Sequence, residues 1–328
     1  MSEVKRHRVA ADEEGMRLDR WFRLHFPQVT SAYLNKLTRT GQVRVSGARA
    51  MTNTRLAADQ EIRVPPLAFE TRSADRPKAE AKRLSAEERR LFRAMVIYED
   101  NDIFVLDKPA GLAVQGGTRT HRHLDGLLMG LGVELGERPL LVHRLDRDTS
   151  GVIVVARRRA IASALGRLFA TRAVKKIYWA VVKGVPKPAQ GRIDVSLVKA
   201  RGPEGDRMRA SGEGEEEDEQ RAVTSYAVID RAASLAAWVS LKPMTGRQHQ
   251  LRAHMAHIGT PILGDNKYGG DRDLPEGVAS SLHLHARRIV FPHPRGGTVD
   301  VTAPLPAHMR DTFAFFGFDA GRYDSEAP

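Results

Sequence analysis

The sequence predicts an α+β protein: a mixed or antiparallel central β-sheet flanked by helices, with a small α/β module in front of it. Three observations predict this. Strand-length apolar runs outnumber amphipathic helical runs and do not alternate with them regularly, which argues against a doubly wound parallel sheet. A charge-dense stretch, Thr71 to Arg93, carries few bulky apolar residues before Leu91 and marks a domain boundary. A polar segment, His143-Arg144-Leu145-Asp146-Arg147-Asp148-Thr149-Ser150-Gly151, lies between two apolar runs in the larger part of the chain.

The whole chain bounds the possibilities. Its 328 residues suggest about two domains. No apolar run is long enough to cross a membrane. The first residues carry basic side chains without an apolar segment, unlike a secretory signal, and Glu3, Asp12, Glu13 and Glu14 argue against a mitochondrial transit peptide. There is no cysteine, which excludes disulfides, thiolate metal sites and thiol nucleophiles. The expected location is the cytoplasm. A net charge of +12 points to a polyanionic partner, nucleic acid before membrane surface.

In chain order, residues 1–14 read as a tail and 15–66 as a compact module. Met16 to Phe26 has helical apolar spacing. A second helix starts at Thr30 or Ser31, either of which can cap it, and stops before Gly41. Val43 and Val45 alternate with Arg44 into a Ser-Gly turn, and Glu61 to Val64 reads as the closing strand. Lys36, Arg39 and Arg44 are the exposed cations. Two helices followed by a basic hairpin resemble the S4 RNA-binding domain. That resemblance implies that these three residues grip phosphates and position the RNA.

Residues 67–94 read as a linker, helical from about Ser85, and 95–318 as the large domain, with a C-terminal tail at 319–328. Ile103 to Leu106 is a strand that runs into a Pro-Gly turn. Asp125 to Leu135 is a helix. Leu140 to Val142 and Val152 to Val155 flank the polar segment as buried strands. Ile161, Ala164, Leu165, Leu168 and Phe169 form a helical core stripe. Lys175 to Val182 is a strand, and Ile193 to Leu197, Val223 to Ile229, Ala237 to Leu241, Arg288 to Phe291 and Val299 to Thr302 follow it. Residues 202–220, rich in glutamate and glycine, are expected to be a mobile acidic insertion.

Three features carry the chemistry. The polar segment puts Asp146 in a loop between core strands, where a rigid scaffold can hold a site. Tyr178 follows Lys176 by two residues in one strand, which places both on one face. The third is Gly246-Arg247-Gln248-His249-Gln250-Leu251-Arg252, where a helix begins with Leu251 in its buried stripe and Arg252 at the stripe's edge. An arginine there needs an anionic partner, and Asp146 is the candidate. His254 and His257, and His283 and His285, lack a carboxylate at recognisable ligand spacing, so no metal is expected. Ser150 and His143 do not resemble the elements of a hydrolase triad.

His143 to Gly151, Lys176-Ile177-Tyr178 and Gly246 to Arg252 together resemble the three motifs of the RluA-type pseudouridine synthases, in that family's order. With the S4-like module in front, the likeness is to the RluC-type branch that acts on large-subunit ribosomal RNA. Gln248 departs from the small hydroxyl residue usual there, and the acidic insertion is a second departure. The resemblance implies a cofactor-free isomerisation of specific uridines in 23S ribosomal RNA or a pre-ribosomal particle; a monomer without a membrane partner is expected. Its alternatives are a tRNA-directed synthase of the same family and a non-catalytic RNA-binding protein. Asp146 would act on the ribose, as nucleophile at C1′ or base at C2′. Arg252 would keep it ionised, and Tyr178 would stack on the uracil. Leu251 would pack on the base, Arg144 would fill the gap left by the flipped nucleotide, and His143 and Lys176 would complete the substrate contacts.

Overall fold

The computed structural model describes residues 4–67, 83–116, 122–202, 205–211, 219–271 and 273–324. The chain divides into two compact units, Met1–Glu80 and Ala81–Pro328.

In the first unit, helices α1 (Leu18–His25) and α2 (Ser31–Arg39) cover one face of a small antiparallel sheet. Thr30 caps α2 through Oγ1, which accepts from Tyr33 N at 3.2 Å. The sheet contains β1 (Lys5–Arg8), β2 (Arg44–Val45), β3 (Ala48–Arg49) and β4 (Glu61–Val64), in the order β1-β4-β2-β3. Residues 5–13 are therefore not a tail, contrary to the sequence expectation. β1 pairs with β4, Val9 is buried, and Glu13 accepts from Trp21 Nε1 at 3.0 Å. The unbroken run Lys5-Arg6-His7-Arg8 hid a strand whose edge position needs little apolar content.

The second unit starts before its first strand. Helix α3 (Ala86–Met95) has a capping box, in which Ser85 Oγ accepts from Glu88 N and Glu88 Oε2 accepts from Ser85 N. Leu84, Phe92 and Met95 are buried in the core of this unit. The expected linker over 67–94 is corrected accordingly: from Leu84 onward it belongs to the large domain, and 68–82 lie outside the described residues. Then follow β5 (Val96–Glu99), β6 (Ile103–Lys108), α4 (Leu124–Leu135), β7 (Leu140–Leu141), β8 (Ser150–Ala156), α5 (Arg159–Phe169), β9 (Lys175–Lys183) and β10 (Gln190–Asp194). Next come β11 (Leu197–Gly202), β12 (Gly205–Ala210), β13 (Val223–Ala232), β14 (Ala236–Pro243), α6 (Gln250–His257), β15 (Leu284–Pro292), β16 (Thr298–Thr302), α7 (Ala307–Phe316) and α8 (Ala320–Asp324).

Eight strands run in the order β10-β13-β14-β9-β15-β8-β6-β5, with β16 beside β15 and β7 beside β8. The pairing of β8 with β15 is parallel and the other ladders are antiparallel, so the sheet is mixed, as expected. One sheet face is covered near β6 and β8 by α3 and α4, and near β9 and β14 by α6. Tyr178 on β9 packs against both of these clusters, at their seam. The opposite face is covered by α5 and by α7.

Two further expectations are corrected. Residues 205–210 of the expected mobile insertion form β12, paired in register with β11, because Met208 is buried against Leu197 and Ala253. Glu213, Glu215, Glu216, Glu217 and Asp218 lie outside the described residues. The expected C-terminal tail begins as helix α8, and Tyr323 meets Trp238 edge-on at 5.2 Å.

Candidate active site

The polar segment is a loop between β7 and β8 that is tied down at both ends. Leu145 is buried in the apolar core and draws the loop inward. Lys108, fully buried at the end of β6, donates from Nζ to the carbonyls of Pro109, Leu112 and Arg147, each at 2.9 Å. Gly111 N and Arg147 Nε complete the clamp, donating to Arg147 O at 2.9 Å and to Gly111 O at 3.1 Å. Burial pushes the Lys108 ammonium down to about 8, opposed by the carboxylates of Asp148, Asp146 and Asp107. It therefore holds its proton, and all three donors, at neutral pH.

His143 anchors the other side. Its Nε2 accepts from Val154 N at 2.9 Å, so a neutral ring carries its proton on Nδ1. The ring stacks on Phe169 with centroids 4.7 Å apart. Burial, then the charge of Lys176, hold it down to about 3. With one nitrogen and one face occupied, His143 is built into the loop. Lys176 sits close enough to act on it electrostatically, and burial also lowers the Lys176 ammonium.

Thr149-Ser150-Gly151 leads into β8. Ser150 Oγ bonds to His285 Nδ1 at 2.9 Å and both are buried, so the serine is paired with a histidine other than His143 and away from solvent. Gly151 has φ of +104°, and a Cβ there would fall 2.2 Å from the carbonyl oxygen of Ala286. Only glycine permits β15 to run that close alongside β8.

Asp146 stands half-buried in this loop, and the charged groups around it come from separate elements. Its field acts on Lys108 from β6, on Tyr178 from β9, on His249 and Arg252 around the start of α6, and on Tyr268. The Tyr178 hydroxyl is pushed well above its ordinary range, first by burial and then by Asp146. Leu251 belongs to the apolar cluster that Tyr178 also touches. Four of the residues picked from sequence, Asp146, Tyr178, Leu251 and Arg252, thus converge. Arg144 is exposed on the same loop. Lys36, Arg39 and Arg44 are exposed in the first unit.

The expected ion pair between Arg252 and Asp146 is corrected. Arg252 forms a bidentate pair with Asp265, Nε to Oδ2 at 2.7 Å and Nη2 to Oδ1 at 2.6 Å, and both side chains are buried. Asp265 Oδ1 also accepts from Lys267 N and Tyr268 N, at 3.0 and 3.2 Å. Asp146 acts on Arg252 only through its longer-range field, after Asp265 in effect. The buried Arg252 does need an anion, and Asp265 supplies it. Spacing could not choose among carboxylates, and Asp265, in a glycine-bracketed loop, was passed over.

Tyr268 was also missed. Its ring lies 5.3 Å from the Arg252 guanidinium. Its hydroxyl accepts from Met208 N at 2.8 Å and contacts His249 Nδ1 at 3.2 Å. Having accepted from Met208, the hydroxyl keeps its hydrogen and a second lone pair for His249, and the tautomer of His249 sets which of the two donates. Burial pushes Tyr268 up to about 12, against the Met208 hydrogen bond and Arg252. His249 adopts φ of +50° at the start of α6, a backbone conformation rare for a side-chain-bearing residue. Of the other histidines weighed as ligands, His254 bonds to Thr224 Oγ1 and Val195 O, and His283 to Leu263 O and Thr312 Oγ1.

A carboxylate in a clamped loop, with a half-buried aromatic and an oriented arginine around it on a strongly basic chain, fits an enzyme that acts on RNA. The family model described as RNA pseudouridylate synthase matches residues 102–257. The chain is 34% identical over 316 residues to the Escherichia coli K12 ribosomal large subunit pseudouridine synthase C, spanning 94% of this chain and 95% of that one. It is 32% identical to RNA pseudouridine synthase 4, mitochondrial, of Arabidopsis thaliana, over 90% of this chain and 78% of the relative. Among solved structures, human RNA pseudouridylate synthase domain containing 4 superposes with a TM-score of 0.59 at 29% identity, covering 70% of this chain and 97% of that one. The chain belongs to the RNA pseudouridylate synthase family, of the RluA type, and is a pseudouridine synthase. Among the described residues no helix is long and apolar enough to cross a membrane.

Proposed function

We propose that this enzyme isomerises specific uridines of large-subunit (23S) ribosomal RNA, free or in a pre-ribosomal particle, as a cytoplasmic monomer. The names of its bacterial relatives support the substrate, and the net charge of +12 supports a polyanion. The observation that carries the site assignment is the convergence on Asp146 of Lys108, Tyr178, His249, Arg252 and Tyr268.

In this reading the ionised Asp146 carboxylate acts on the ribose of a flipped uridine. The C1′–N1 bond breaks, the uracil turns, and C1′ joins C5; the C5 proton is lost and N1 gains one. No electron leaves or enters, so the residues need only position, stabilise charge and move protons. Tyr178 stacks on the uracil over the Leu251 side chain. Asp265 fixes Arg252, whose charge is held near the Asp146 carboxylate. Arg144 occupies the space the base leaves, offsetting an extrusion cost of a few kcal/mol. His143 and Lys176 support the loop from beneath the substrate. The first unit acts as an S4-like RNA-binding domain, with Lys36, Arg39 and Arg44 on phosphates.

The test is Asp146→Asn, scored by carbodiimide-dependent primer extension on large-subunit ribosomal RNA. The variant is expected to fold with the wild-type melting temperature and to form no pseudouridine. Wild-type yield from the variant would remove Asp146 from the chemistry. Modification confined to tRNA would reassign the substrate.

A further inference from the structure

The register of the small sheet in the first unit sets four arginines side by side. Arg49 on β3 is opposite Arg44 on β2, Arg44 is opposite Arg63 on β4, and Arg63 is opposite Arg6 on β1. Their neighbours Val45, Ile62 and Val64 turn into the core under α1 and α2, so the arginines share the outer face. Arg6, Arg44 and Arg49 are exposed and Arg63 is half-buried. With strands about 4.8 Å apart, the row spans about 14 Å.

Such a row is costly for the fold alone, because like charges directly opposite in an antiparallel pair destabilise it. Counter-charge is supplied at one end, where Glu61 meets Arg6 at 2.9 Å. Arg44 donates to the carbonyls of Gly41 and Gly47, at 3.2 and 3.0 Å. Arg63 donates to the carbonyl of Gln42 at 3.0 Å. These carbonyls orient the guanidinium groups without neutralising them, and each fork keeps free donors, since arginine has five. For Arg49, no hydrogen bond or ion pair is found among the described residues. Two adjacent cations, Arg44 and Arg63, are thus oriented beside a third, Arg49, and the carboxylate that pairs with the row, Glu61, is taken by Arg6 at its end.

We propose that Arg49, Arg44, Arg63 and Arg6 form a track for the phosphate backbone of RNA, running across the strands and additional to Lys36 and Arg39 on α2. The proposal rests on the reading of this chain as an enzyme of RNA. The phosphates supply the counter-charge that the sheet lacks, through charge-assisted forks.

The experiment is binding of the full chain to a large-subunit ribosomal RNA fragment between about 50 and 200 mM salt. The triple variant Arg44→Gln, Arg49→Gln, Arg63→Gln should reduce the slope of log affinity against log salt by about 2, at about 0.7 per phosphate contact on single-stranded RNA. The matching triple lysine variant should retain most of that slope. Arg49→Gln alone should lower the slope by about 0.7 and leave the melting temperature unchanged or raised, since it removes a like-charge neighbour. An unchanged slope in the folded triple variant overturns the track. If that variant does not fold, an unchanged slope in Arg49→Gln overturns it instead. A second arm uses phosphatidylglycerol vesicles: arginine-dependent binding to vesicles and not to RNA also overturns it. Pseudouridine formation by the wild-type chain is scored on the same RNA, so a failure of the catalytic reading shows separately from a failure of the track.

Discussion

Arg252 and Asp265 meet through two short parallel hydrogen bonds with neither side chain open to solvent. They lie 13 residues apart, one on α6 and one in the loop beyond it. Breaking a buried pair by removing one partner costs about 3–5 kcal/mol, because the other charge stays buried. Asp265→Asn should therefore lower stability by roughly that amount in urea unfolding, and should cut pseudouridine formation further than the stability loss explains. A variant with both stability and activity near wild type would show that Arg252 finds its anion elsewhere, Asp146 included.

Gly151→Ala tests the close approach of β8 and β15. The new methyl would collide with the Ala286 carbonyl while the backbone keeps φ of +104°. Left-handed strain and overpacking together predict a loss of about 2–5 kcal/mol. Thermal melting should show it, and an unchanged melting temperature would contradict the geometry.

Lys108 predicts opposite trends for activity and stability in mild alkali. Its folded ammonium titrates near 8, below its ordinary value of 10.5. Between those values the unfolded chain binds the proton that the folded chain has released. The linkage contribution of this group to stability therefore rises with pH across that window. Activity should fall as the folded ammonium loses its proton around pH 8, when the donor to Arg147 O weakens and the loop that carries Asp146 loosens. Single-turnover rates from pH 7 to 9 check the second trend, and a flat profile would sink it.

His283 and His285 set the acid side. Burial holds them down to about 4 and about 3, and both are sealed in the core. Below the ordinary value of 6.5 the unfolded chain binds protons that the folded chain refuses, so stability falls as pH falls. From pH 6.5 to 5 the loss is on the order of 2 kcal/mol for each histidine, at about 1.4 kcal/mol per pH unit. Urea midpoints at pH 7 and pH 5 should differ accordingly. His285→Gln should reduce the difference, and an equal pH response in the variant would rule His285 out as a contributor.

Local pattern made much of this protein legible. Period-two and period-3.6 apolar spacing placed β9, β14 and α5, and a capping serine placed α3, because those signals are carried by neighbouring residues. Asp146, Tyr178 and Arg252 are readable as three motifs because polar residues cluster there beside apolar runs. Residues 5–8 and 205–210 were not readable as strands. Their order comes from partners, β4 in one case and Tyr268 with Ala253 in the other, rather than from their own composition.

The sequence by itself determined which residue types stand in the site, the α+β class, and the need of Arg252 for an anion. Only the tertiary structure decided that the anion is Asp265, that Lys108 and Tyr268 flank Asp146, and that four arginines line up across one sheet. Charge and periodicity act along the chain and can be read there. Which carboxylate meets which guanidinium is set by strand register and loop closure, and those are fixed by packing between segments far apart in sequence.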